Sequence, residues 1–187
     1  MTKSEARTTY KKHRSVLSTN DIKSRSRAIA DLVEKMDIWH FEYYHLFMPI
    51  EHQKEVDTSF IFDILLKKNK KIIVSKSIFE TTEMHHFVVD STTKYELNHY
   101  KIPEPIASQK VDAGAIDVVF LPLLAYDSVG NRVGYGKGFY DKFLSKCKAN
   151  TVKIGLSFFE PEPLITGFST SDVKLDYCIN PSELKKF

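Results

Sequence analysis

Arg132 and Lys137 stand among Gly130, Gly134, Gly136 and Gly138 in the run from Ile116 to Leu144, IDVVFLPLLAYDSVGNRVGYGKGFYDKFL. Glycines let backbone N–H groups come close to an anion, and the two cationic side chains add full charge. These residue types therefore suit phosphate binding. Ile116 to Leu121 ahead of them is a β-branched and aromatic run that predicts a buried strand. Pro122 to Gly138 reads as a loop. Lys137 to Lys146 predicts a helix with Phe139, Tyr140, Phe143 and Leu144 on its apolar side, whose N-terminus adds partial positive charge. Strand, glycine-rich basic loop and helix start make a phosphate cradle. The spacing is neither G-x-x-x-x-G-K-[ST] nor G-x-G-x-x-G. Spacing alone leaves both a cradle and a set of tight turns open.

Further residues with chemical capacity are scattered. Residues 2–17 predict a helix, with no Gly or Pro and many Lys, Arg, Ala and Glu. Lys3, Arg7, Tyr10 and Arg14 share one face of it, which is either a solvated basic surface or an anion site. Glu55 precedes a helix predicted over Ser59–Lys68 and closed by Asn69. There it reads as an acid favoured by the helix dipole, with Asp57 or Thr58 as the cap. Asp172 and Asp176 form D-x-x-x-D, by themselves surface acids or caps. His85 and His86 are adjacent on a strand predicted over Met84–Val89, so they point to opposite faces and do not share one ion. They read as surface or half-buried histidines.

The elements that must position these residues follow from periodicity. Ser18–Asp21 is a helix-start cluster, and Ile22, Ile29, Leu32, Val33 and Met36 continue it as an apolar stripe. Strands are predicted near Tyr43–Pro49, at Lys71–Ser75 and at Val152–Phe158, with a last one at the end of Val173–Ile179. Ile102-Pro103-Glu104-Pro105 is extended, because each proline restricts its predecessor, and 106–115 reads as a surface loop. Helical and strand patterns alternate from Tyr43 onward, which predicts α/β with a largely parallel sheet covered by helices. Ligands of such sheets sit at the carboxyl ends of the strands, where the glycine loop begins.

The 187 residues suit a single domain over 1–187 with one core. A net charge of +3 is too weak to argue for nucleic acid. No apolar run approaches the roughly 20 residues of a membrane helix. The polar MTKSEARTTYKK lacks the apolar core of a signal peptide. Cys147 and Cys178 read as two free thiols. The expectation is a cytoplasmic, monomeric protein with neither nucleic-acid nor membrane partners.

Taken whole, L-P-L-L-A-Y-D-S-V-G-N-R-V-G-Y-G-K-G-F-Y-D-K-F-L resembles the signature of the 5-formyltetrahydrofolate cyclo-ligase family, also called methenyltetrahydrofolate synthetase. Tyr126, Val133 and Phe139 depart from it while keeping apolar or aromatic character. The likeness runs from Lys3 to Asp176. It implies a three-layer α/β/α fold with a mostly parallel sheet, like the sugar-phosphate isomerases and CoA-transferases. It also implies ATP-dependent cyclisation of 5-formyltetrahydrofolate, free or polyglutamylated, to 5,10-methenyltetrahydrofolate, with release of ADP and phosphate.

Residue by residue, the resemblance assigns ATP to Lys3 and Arg7 and to the run Arg132, Val133, Gly134, Tyr135, Gly136, Lys137, Gly138, Phe139 and Tyr140. Lys137, Arg132 and Tyr140 would serve catalysis. Folate would lie against Ile50, against Glu55 of Glu55-Val56-Asp57-Thr58, and against Tyr135 to Phe139. Asp141 and the Asp172 of Asp172-Val173-Lys174-Leu175-Asp176 would hold Mg²⁺. Where the family has a Pro-Arg pair, Lys76 and Ser77 stand. One rival is a nucleotide enzyme acting on another substrate, opposed by the match at Glu55. A second is a basic nucleic-acid module, opposed by the low net charge and by Asp141 and Asp172.

Overall fold

Both long helices begin on reciprocal caps. In α1 (Lys3–Ser15) the Thr2 hydroxyl accepts from the Glu5 N–H while the Glu5 carboxylate accepts from the Thr2 N–H. In α2 (Thr19–Glu34) Ser18 and Asp21 do the same. The structure is a computed structural model that describes residues 1–187. Its other helices are α3 (Ser59–Lys67) and the short α4 (Phe139–Leu144). Thr58 stands at the N-cap of α3 but its hydroxyl donates to the Phe47 carbonyl, and it is the preceding Asp57 carboxylate that accepts from the Ser59 N–H of the first turn.

The strands, in chain order, are β1 (Tyr43–His45), β2 (Lys71–Ile78), β3 (Glu83–Val89), β4 (Tyr95–Leu97), β5 (Pro103–Pro105), β6 (Lys110–Val111), β7 (Val118–Pro122), β8 (Ala125–Tyr126), β9 (Arg132–Val133), β10 (Val152–Leu156), β11 (Tyr177–Ile179) and β12 (Leu184–Lys186). Eight of them form one sheet in the order β12-β11-β10-β7-β1-β2-β3-β6. From β11 through β2 the neighbours are parallel, and β12, β3 and β6 join antiparallel. Residues alternate across the sheet with period two. Tyr44, Ile72, Phe120 and Ile154 meet Ile29 and Val33 of α2 and Ile61 and Leu65 of α3 on one face. Ile73, Val119, Leu121 and Cys178 meet Phe143 and Leu144 of α4 on the other. This is the expected three-layer α/β/α architecture. Burial on both faces is why β7 reads as an unbroken apolar run.

Several expectations need correcting. From β2 to β6 the chain passes from strand to strand without a helix, so the alternation predicted from Tyr43 onward breaks there. The predicted loop 122–138 contains the β8–β9 hairpin, and the predicted loop 106–115 contains β6 and a 3-10 turn at Ala113–Ala115. The helix predicted over Lys137–Lys146 is confined to Phe139–Leu144, after a left-handed Gly138 at φ 76°. His86 is buried rather than exposed or half-buried.

The topology makes the site. The chain moves from β1 to one neighbour, β2, and later to the other, β7, so a crevice opens between the carboxyl ends of β1 and β7. Helix α1 lies over that end, with Ala6 and Tyr10 packed on Leu124, Ala125, Val133 and Ile165 around the hairpin.

Candidate functional site

A cleft of about 710 Å³ opens at this crevice. Its walls come from the start of α1, the loop after β1, the end of β2, and the glycine loop after β7. Of the residues expected to serve the site, Lys3, Arg7, Ile50, Glu55, Arg132, Gly134 to Asp141 and Asp172 all line it. Val133 alone does not; it is buried beneath the loop as a strut against α1.

One part of the cleft is basic. The Arg7 guanidinium donates from Nε to the Gly134 carbonyl at 3.1 Å. Gly136 sits at φ 86°, and a Cβ there would come within 3.0 Å of Arg7 Cζ, so glycine is what lets the loop and α1 meet. Lys3 Nζ pairs with Asp172 at 2.6 Å and Arg132 with Asp141 at 2.7 Å. The two acids are brought near each other because the Val173 N–H donates to Asp141 Oδ1. Burial raises the Asp172 carboxyl, but hydrogen bonds from Lys3 and Ser169 outweigh it and leave its pKa below the ordinary value. Lys137 Nζ lies 5.0 Å from the Phe79 ring centre and 5.6 Å from that of Tyr100, a cation–π arrangement.

The other part holds a buried carboxylate. Glu55 is 5% exposed. Its Oε2 accepts from the Ile50 N–H and its Oε1 from the Tyr135 hydroxyl, each at 2.8 Å. Burial raises its pKa, opposed by those two hydrogen bonds and by the charges of Arg14 and His52. Lys54, in the left-handed region at φ 50°, donates to the Ser15 and Leu17 carbonyls and fastens this loop to the end of α1. Met48, Ile50 and Ile102 give apolar walls. Burial also raises the Tyr140 hydroxyl, with Glu55 adding to the effect.

Sequence reasoning missed several lining residues. Phe79 and Tyr100 come from turns after β2 and β4, where nothing periodic marks them. His45, at the floor, bonds through Nε2 to Ser75 Oγ, which bonds in turn to His86 Nδ1, each at 2.8 Å. Burial holds His45 well below its ordinary pKa and His86 at about 4. Beyond Ser75 the strand runs on as Lys76 and Ser77, and Ser77 faces the cleft where the family's Arg is absent. Arg14 shares the basic face of α1 that reads as either a solvated surface or an anion site. It is 4% exposed and belongs to neither surface.

A basic, glycine-lined half beside a half with one buried acceptor suits a polyphosphate next to a flat, donor-bearing ligand. The model of the 5-formyltetrahydrofolate cyclo-ligase family matches residues 1–165. The chain belongs to that family. A probable 5-formyltetrahydrofolate cyclo-ligase of Schizosaccharomyces pombe is 28% identical over 184 residues, spanning 90% of this chain and 89% of the relative. The 5-formyltetrahydrofolate cyclo-ligase of Mus musculus is 27% identical over 145 residues, covering 68% and 71%. The solved 5,10-methenyltetrahydrofolate synthetase of Aquifex aeolicus superposes with a TM-score of 0.79 at 25% identity, covering 100% of this chain and 93% of that one. The synthetase structure from Mycoplasma pneumoniae gives 0.74 at 23% identity over 97% and 100%, a likeness of fold. The family's reaction, ATP-dependent conversion of 5-formyltetrahydrofolate to 5,10-methenyltetrahydrofolate, is thereby the activity of this ligase.

Proposed function

We propose that this cleft activates the formyl group of 5-formyltetrahydrofolate with ATP and then closes the ring with the substrate's own N10. A formamide oxygen is a poor leaving group. Its attack on the γ-phosphorus forms a new O–P bond as the bond to ADP breaks, and N10 then attacks the activated carbon. The C–O bond to phosphate breaks and N10 loses its proton. The nucleophile arrives with the substrate, so the protein's task is positioning and charge neutralisation.

Lys3, Arg7, Arg132 and the 134–138 backbone hold ATP, and Lys137 moves from its aromatic neighbours to the transferring phosphoryl group. Glu55 accepts from the amino group and ring N–H of the pterin, against Ile50. Tyr135 to Phe139 are shared by both ligands, with Tyr140 alongside. The carboxylates of Asp141 and Asp172 are hard oxygen donors from separate segments, which fits Mg²⁺ completed by phosphate oxygens and water. Bound there, Mg²⁺ would neutralise phosphate charge, and Arg132 and Lys3, now paired with those acids, would turn to phosphate oxygens. The same reading extends to a free or polyglutamylated substrate and to a monomeric, one-domain, cytoplasmic enzyme.

The observation that carries this reading is the buried Glu55 carboxylate in the same cleft as the glycine loop, Lys3 and Arg7. The test is near-ultraviolet absorbance with 5-formyltetrahydrofolate, Mg²⁺ and ATP, since the methenyl product has a chromophore that the substrate lacks. Growth that needs both ATP and protein, and disappears in Glu55→Ala, is expected. Calorimetric ATP binding without any growth would point instead to a nucleotide enzyme with another acceptor.

A further inference from the structure

Arg14 lies on the helix that presents Lys3 and Arg7, two turns further along and out of the cleft. It is 4% exposed. Three segments share its guanidinium. Nη2 donates to the Leu123 carbonyl just past β7. Nη1 donates to the Tyr135 hydroxyl at 2.9 Å and, more distantly at 3.5 Å, to the Gln53 carbonyl. Nε is buried with no protein partner. A buried arginine that leaves a donor unpaired is costly and gives little net stability, so packing alone does not account for it.

The Tyr135 hydroxyl explains what the arrangement achieves. It accepts from Arg14, so its own proton is free to point the other way, to Glu55 Oε1 at 2.8 Å. The Ile50 N–H takes Glu55 Oε2. Each carboxylate oxygen keeps a lone pair, and the two bonds fix the direction in which the carboxylate faces.

We infer that Arg14 is a positioning residue for folate, setting the orientation and charge of Glu55 through the Tyr135 hydroxyl without touching either substrate. The inference rests on the reading of Glu55 as the pterin acceptor. A protonated carboxyl would offer a donor where the pterin also offers donors, so binding needs the ionised form. Burial favours protonation. The groups facing Glu55 are Arg14 from α1, His52 from its own loop, Tyr135 from the glycine loop and Tyr140 from α4. Among them Arg14 carries a permanent positive charge.

The test compares Arg14→Leu, Arg14→Lys, Tyr135→Phe and Glu55→Ala in the full chain, by the methenyl absorbance at varied pH and varied substrate. Arg14→Leu is expected to raise KM for 5-formyltetrahydrofolate about tenfold or more, with KM for ATP within about twofold. Its acid limb should move up by about one pH unit, and Arg14→Lys should restore part of that shift. In the infrared, a carboxylic C=O band absent from a Glu55→Gln control should grow in Arg14→Leu near neutral pH.

An unchanged folate KM and acid limb in Arg14→Leu would overturn the inference. So would equal rises for both substrates, which signal a general loosening. Should Arg14→Leu not fold, Tyr135→Phe decides: it keeps the guanidinium's carbonyl partners, and a wild-type folate KM there would equally overturn it. Full turnover by Glu55→Ala would instead sink the pterin assignment itself, whatever the Arg14 variants do.

Discussion

Alanine at Gly136 and at Gly134, two residues apart in one loop, should fail in different ways. Gly136 is at φ 86°, in the left-handed region, and its new Cβ would lie 3.0 Å from both Cζ and Nε of Arg7. The backbone penalty for an L-residue there is about 1–2 kcal/mol. For a chain of this size each kcal/mol lowers Tm by roughly 2–4 °C, so a fall of roughly 2–8 °C is expected by calorimetry. The guanidinium must also shift away from its 3.1 Å bond to the Gly134 carbonyl. A guanidinium so displaced would lose its charged hydrogen bond to ATP in the proposed site, worth about 1.5–3 kcal/mol, which corresponds to a rise in KM for ATP of roughly 10- to 150-fold.

Gly134 has no atom within 4 Å of its added Cβ. Gly134→Ala should therefore melt within about 1 °C of wild type. Any loss of turnover it shows then reports on the space a ligand needs, since that open space is the cleft. A Gly136→Ala protein with wild-type Tm and wild-type KM for ATP would refute the argument that close approach to Arg7 is why glycine stands there.

Three further expectations can be checked independently. Gly155→Ala would put a methyl 2.5 Å from Leu123 Cδ1 and 2.8 Å from Leu175 Cδ1 on a central strand. Urea unfolding should show about 1–3 kcal/mol of lost stability, and an unchanged midpoint would mean the sheet opens there freely. His86 titrates at about 4 in the fold against an ordinary 6.5, so it is neutral when folded and the unfolded chain takes up the proton first. Its contribution is therefore whole above about pH 6.5 and is lost as pH falls towards 4. At about 1.4 kcal/mol per pH unit it approaches roughly 3 kcal/mol, and His86→Gln should flatten the acid limb of the stability curve. Asp141→Asn removes a proposed Mg²⁺ ligand and the partner of Arg132, whose side chain is 8% exposed. The Mg²⁺ concentration for half-maximal turnover should rise at least about tenfold, while folate binding measured without ATP stays as in wild type.

Much of this protein is determined by its sequence alone, because it depends on neighbours along the chain. Ser18 and Asp57 start helices where their side chains reach the next N–H groups. The apolar run before Pro122 can be satisfied only inside a sheet, and the glycine–basic string carries the family resemblance whole. Glu55, too, is legible, though as a motif; nothing in local physics distinguishes it from an ordinary first-turn acid.

What only the tertiary structure decides is which distant segments meet. Strand order puts the ends of β1 and β7 side by side, and that brings Glu55 to Tyr135 across 80 positions of chain. Arg14 shares a helical face with Lys3 and Arg7, yet the hairpin and the loop at Gln53 close over it and not over them. His86 alternates with His85 as any strand residue does, and only the packing of Phe143 and Ser75 makes its side the buried one. Phe79 and Tyr100 enter the cleft from two turns that no periodicity connects. Helix and strand periods report which residues share a face of an element. What covers that face depends on contacts between segments far apart in sequence, and those form only when the sheet is assembled.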